Sequence, residues 1–143
     1  MTVTLTVLAV LAVVGYGTGL VIISNSKATV AKFSVAAVAG EMTTAYNDLG
    51  SFPTVTQMPT YADSSYTYVD GSSPSGLSTS PKVISVYQSP APAIVLAALS
   101  SNGSCYAAIV YPPSVSTPDA HVIDPVASHC YASYPFSLLG QSW

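Results

Sequence analysis

His121, Asp124, His129 and Cys130 form the stretch of this chain where groups able to hold a metal or move a proton come closest together. A His/Asp/Cys set can bind zinc or pair a nucleophile with a base. The spacing argues against both. No metal-ligand pattern is present, and His129 abuts a cysteine better assigned to a disulfide. Loop or surface histidines are the expectation. Glu41 is the only glutamate, and no carboxylate pair suggests acid–base work. Gly17 and Gly19 lie in an apolar run rather than between strand and helix, which excludes a phosphate loop. No catalytic residue, metal or cofactor is expected. The triplet Asn102-Gly103-Ser104 makes Asn102 a candidate for glycosylation, although a hairpin turn explains it equally well.

Cys105 and Cys130 are the two cysteines. An even count, few charges and abundant Ser and Thr favour an exterior, oxidising setting and a Cys105–Cys130 bond. Two buried free thiols are the alternative. A bond would close a loop of about 25 residues, for roughly 3.5 kcal/mol in the chain-entropy model. Charged residues make up 6% of the 143, and arginine is absent. Three scattered lysines (Lys27, Lys32 and Lys82) cannot neutralise a phosphate track, so nucleic acid is not an expected partner.

The first 23 residues carry no charged side chain. About 20 apolar residues suffice to cross a ~30 Å hydrocarbon core. The run is too long, and lacks the basic start, for a cleaved signal peptide. Two accounts of its missing basic flank stand. Either a basic leader has been removed and Met1 begins the mature chain, or Lys27 and Lys32 set the orientation and place the C-terminal part inside. The first fits an external disulfide better.

These features need elements to carry them. Residues 1–49 read as a helical unit, continuous over 2–48 and about 70 Å long. Its first part, 1–23, spans the membrane or fills a bundle; its second half is amphipathic. A seam through Val30, Phe33, Ala37, Met42, Ala45, Tyr46 and Leu49 recurs near helical spacing. Gly15, Gly17 and Gly19 weaken the helix locally, each by about 1 kcal/mol relative to alanine; they suit either a local melt over residues 14–20 or close helix contact. Gly50-Ser51-Phe52-Pro53 ends the helix. Residues 50–143 form a β-rich domain. It begins turn-rich, with a strand-like piece at Tyr66–Val69. Clearer strands follow at Lys82–Gln88, Ala93–Leu99 and Cys105–Tyr111, with a last one between His121 and Tyr134. Asn102-Gly103 between two apolar runs signals a hairpin. The expected class is α+β: a long N-terminal helix packed on a C-terminal antiparallel sheet of about four strands.

This layout resembles type IV pilins and the pseudopilins of type II secretion. The closest local match is the helix exit, Thr44-Ala45-Tyr46-Asn47-Asp48-Leu49-Gly50-Ser51-Phe52-Pro53. Met1-Thr2 is similar to the start of mature type IVb pilins, and the late cysteine pair resembles the disulfide that bounds the C-terminal loop of many pilins. One position departs: Leu5 stands where most major pilins carry glutamate. That leaves the N-terminal amine to another partner, with Thr2, Thr4 and Thr6 offering hydroxyls. The departure fits a minor pilin, a divergent bacterial pilin or an archaeal pilin. The resemblance implies a subunit anchored in the cytoplasmic membrane before assembly. A pilus assembly machinery then polymerises it with identical copies into a cell-surface filament. Met1, Thr2, Leu5, Leu8, Val10, Val13, Tyr16 and Leu20 would lie in the filament core. A single-pass anchored binding domain is the rival expectation, and a pseudopilin the third.

Overall fold

The computed structural model of the protein describes residues 28–90, 92–136 and Trp143. Residues 28–49 form one helix, α1. Ala31, Val35, Val38, Met42 and Ala45 are its buried stripe. They are spaced alternately by four and three residues, which keeps them on one side of a 3.6-residue helix. Gly50 follows with φ of +72°, a left-handed conformation that glycine adopts freely and that suits the residue after a helix. Its N–H still donates to the Tyr46 carbonyl at 2.8 Å. Phe52 then packs its ring against Tyr46, with centroids 4.9 Å apart. The Gln88 side-chain amide holds the exit by donating to the Phe52 carbonyl at 2.7 Å. A single helical turn, α2 (Met58–Tyr61), buries Met58.

Five strands make one sheet in sequential order: β1 (Thr67–Asp70), β2 (Val83–Ser89), β3 (Ala93–Leu99), β4 (Cys105–Val110) and β5 (Ala120–Asp124). β1 runs parallel to β2, and the other neighbours are antiparallel. The loop between β3 and β4 turns at Gly103, whose φ is +89°; the Ser100 N–H donates to the Ser104 carbonyl at 2.9 Å to close it. Residues 93–98 of β3 and all of β4 are buried. That burial on every residue requires cover on both faces of the sheet. On one face Ile84, Val86, Ile94, Leu96 and Val110 meet the α1 stripe. On the other, Val95, Ala97, Ala107 and Ile109 lie under Cys130, Ala132 and Phe136 of the C-terminal segment.

Two buried serines tie that second layer down. Ser85 Oγ donates to the Gly76 carbonyl at 2.6 Å and accepts the Ala132 N–H at 3.0 Å. Ser78 Oγ donates to the Val83 carbonyl at 2.5 Å and accepts the Leu99 N–H at 2.8 Å, and the Ser78 backbone N–H donates to the Cys130 carbonyl at 2.8 Å. Gly71 sits where the layers are closest. A Cβ there would meet the Ala132 backbone nitrogen at 2.8 Å as well as the Ser85 hydroxyl, so only glycine lets the C-terminal segment approach.

This architecture corrects the expected one, a long N-terminal helix on a four-stranded antiparallel sheet. The described fold is largely sheet, its helix covers residues 28–49, and the sheet is five-stranded and mixed. The extra strand is the Tyr66–Val69 piece. Residues 71–82 separate it from β2, a connection of the length a parallel crossover requires. The helical seam is corrected too. Val30, Phe33 and Ala37 are exposed, and the stripe through Ala31, Val35 and Val38 packs on the sheet in their place. Among the described residues no helix is long and apolar enough to cross a membrane.

Candidate functional site

β5 separates His121 from the other residues that looked like a chemical cluster. Asp124 stands opposite Cys105 in the β4–β5 ladder, and His121 stands opposite Ala108. Three residues apart on a strand, they point to opposite faces. Asp124 is 2% exposed. Its Oδ2 lies 2.8 Å from His129 Nδ1, and its Oδ1 accepts the Val126 N–H at 2.8 Å. The His129 ring stacks on Tyr134, with centroids 4.1 Å apart and planes 15° from parallel. Both partners are thus held by the C-terminal segment. Burial, then the Asp124 carboxylate and the Tyr131 phenol nearby, push the Tyr134 phenol above its ordinary pKa.

His121 belongs to the helix side of the sheet. Its ring meets Trp143 edge-on at 4.5 Å, and its Nδ1 is buried with no hydrogen-bond partner among the described residues. Trp143 is fixed there by its Nε1–H, which donates to the Val122 carbonyl at 2.9 Å. Lys32 places its Nζ 4.9 Å from the centroid of the Trp143 ring, a cation–π arrangement. No group of three His, Cys, Asp or Glu able to hold a metal exists among the described residues.

Cys130 is bonded to Cys105, with Cα atoms 5.2 Å apart. The bond ties the C-terminal segment to the start of β4. Asn102 is exposed at the β3–β4 turn. Its Oδ1 accepts the Ser104 N–H at 3.1 Å and the Ser100 hydroxyl, the side-chain closure expected of asparagine in a turn. Glu41 accepts the Asp63 N–H through Oε2 at 3.0 Å and so joins α1 to the loop after α2. Met1, Thr2, Leu5, Leu8, Val10, Val13, Tyr16 and Leu20, with Gly15, Gly17 and Gly19, lie outside the described residues.

The surface that stands out is the outer side of α1. Val30 is 51% exposed and Phe33 67% exposed. With Ala37, Gly40 and Thr44, also exposed, they form a stripe rotated by roughly 140° from the buried one, at 100° per residue. None of these side chains is charged. Lys32 and Glu41 flank the stripe, Lys32 being drawn to Trp143 and Glu41 to Asp63, and the exposed Asp48, about five turns on from Val30, closes it with a charge. Val30, Phe33 and Ala37 of the outer stripe are apolar at helical spacing like the buried stripe, so periodicity alone did not distinguish the one that meets the sheet.

No family model, curated protein or solved structure matches this chain.

Proposed function

We propose that this chain is a structural subunit of a type IV pilin-like filament. It polymerises with identical copies through residues 1–23, after anchorage in the cytoplasmic membrane, and is displayed at the cell surface. Delivery from membrane to filament falls to a pilus assembly machinery. Nothing in this role needs a catalytic side chain.

The observation that supports the reading is the outer stripe of α1. A helix packed on a sheet normally turns a polar face to water. Here Val30 and Phe33 stand in that face, and leaving one such side chain in water forgoes about 2 kcal/mol of burial. The stripe leads in sequence into a run of 23 residues without a charge. Association of copies side by side would bury the stripe and the run together.

Shearing the cell surface, pelleting the released material and imaging it tests the reading. Filaments containing this chain are the expected result. Val10→Lys places an unpaired charge in a dry bundle, at a cost of several kcal/mol. Cells that still place the variant chain in their membranes should therefore shed no filaments. Normal filaments from Val10→Lys subunits, or a wild-type chain that stays entirely with the membrane, would overturn polymerisation. The second outcome would favour an anchored binding domain.

A further inference from the structure

Among the described residues, the sheet face turned away from α1 is not fully covered. Beside the C-terminal segment it leaves a cleft of about 200 Å³, floored by Ala93, Val95 and Ile109 and walled by Tyr87, Tyr111 and Tyr134. No charged side chain lines it. Among the described residues Tyr87 and Tyr111 meet no other ring, and their half-buried side chains carry hydroxyls with no hydrogen-bond partner among those residues. Tyr134 is held by its stacking on His129 and by an edge contact with Phe136 at 5.4 Å. The segment that carries it is fixed by the Cys105–Cys130 bond and by the Ser85–Ala132 hydrogen bond. The Tyr134 wall is therefore set before any ligand arrives, which lowers the cost of binding.

We propose that this cleft binds the terminal one or two rings of a neutral carbohydrate. Such a ligand has C–H faces, which lie well on the negative face of an aromatic ring, and hydroxyls at its rim, which need directional partners. Phenol hydroxyls both donate and accept. Anionic or cationic ligands would enter without a compensating charge, at a large desolvation cost. A proline-rich peptide also favours aromatic grooves, but it docks through several residues in an extended conformation, more than a cleft of about 200 Å³ holds. Tyrosine supplies a broad contact with few torsions to freeze. In the filament reading this face is opposite the α1 stripe and points outward, so copies along the filament would repeat the site. The binding step does not depend on assembly.

An NMR titration of the dispersed full chain, in a detergent without a sugar headgroup, tests the proposal. The probes are methyl α-mannoside, methyl β-galactoside and di-N-acetylchitobiose, compared with a sialylated trisaccharide and a proline-rich peptide. At least one neutral sugar should give saturable shifts centred on Tyr87, Tyr111 and Tyr134, with a millimolar Kd. Tyr87→Ala with Tyr111→Ala should weaken it by about tenfold or more. Tyr87→Phe with Tyr111→Phe keeps the rings and the fold, and should weaken it by about threefold. Three outcomes would overturn the site: no shift with any neutral probe, affinity unchanged in both double variants, or preference for the sialylated sugar or the peptide. None of them would touch the assembly reading, which is measured on filaments.

Discussion

Ser85 is a hydroxyl in a dry place, and its two bonds join the 71–82 crossover to the C-terminal segment. Ser85→Ala leaves the Gly76 carbonyl and the Ala132 N–H without a partner. The expected loss is about 1–3 kcal/mol in urea unfolding; a change within error would mean that the segment is held without it. Nothing in the sequence distinguished Ser85 from the many serines that face water, because the distinction lies in what covers it. The strand parity of His121 and Asp124 was readable, since three residues apart on a strand means opposite faces. Tyr68 yields a pH prediction. Its hydroxyl donates to the Asp63 carbonyl at 2.7 Å. Burial first, then the charges of Glu41 and Asp63 and the nearby Tyr66, raise its pKa. A pKa raised in the folded state means that the protonated phenol favours folding. That contribution is complete below the unfolded value of about 10 and drains away as pH rises beyond it. Stability should therefore fall above about pH 10, and Tyr68→Phe should flatten part of that fall. The rest belongs to Tyr106 and Tyr134, also raised by burial. Identical alkaline limbs in the two proteins would rule out the role given to Tyr68.

Elements show how far a pattern reaches. The β3–β4 hairpin was readable because Asn102-Gly103 carries its own turn chemistry. β1 was readable only as a strand-like piece at Tyr66–Val69 and not as a member of the sheet, because its four residues, Thr-Tyr-Val-Asp, join the sheet by pairing with β2 across a crossover. α1 shows a different failure. Ala31, Val35 and Val38 and the outer Val30, Phe33 and Ala37 satisfy the helical period equally, and the sheet selects between them. This makes Phe33 a clean probe. Phe33→Glu changes a side chain that is 67% exposed, so the unfolding free energy of the dispersed subunit should shift by no more than about 0.5 kcal/mol. Filament yield should nonetheless drop sharply. Full yield would show that copies do not meet through this stripe. The disulfide acts between elements. Replacing both Cys105 and Cys130 by alanine frees a loop with a sequence separation of 25. The expected cost is about 3.5 kcal/mol, read as a lower thermal midpoint. A midpoint equal to the parent's would mean that Ser78, Ser85 and the apolar layer hold the segment unaided.

At the scale of the molecule, three layers stack: α1, the sheet and the C-terminal segment. The sequence pointed to the first two, through helical period and strand-forming runs. The third is built from short turns and single contacts, such as Ala132 against Gly71 and Phe136 in the second core, and no periodicity announces it. The charge-free N-terminal run and the outer α1 stripe lie together at the start of the chain, whereas the tyrosine cleft lies on the far side of the sheet. A filament reading uses both sides, one for copies and one for the surroundings. Trp143 sits at the seam between the first two layers, against Lys32 of α1 and His121 of β5. It is the only tryptophan in the protein. An indole pressed between an ammonium group and an imidazole emits differently from one in water. The chain therefore carries its own optical gauge of whether helix and sheet are docked. If the chain assembles as proposed, its emission would follow the subunit without a label from membrane to filament.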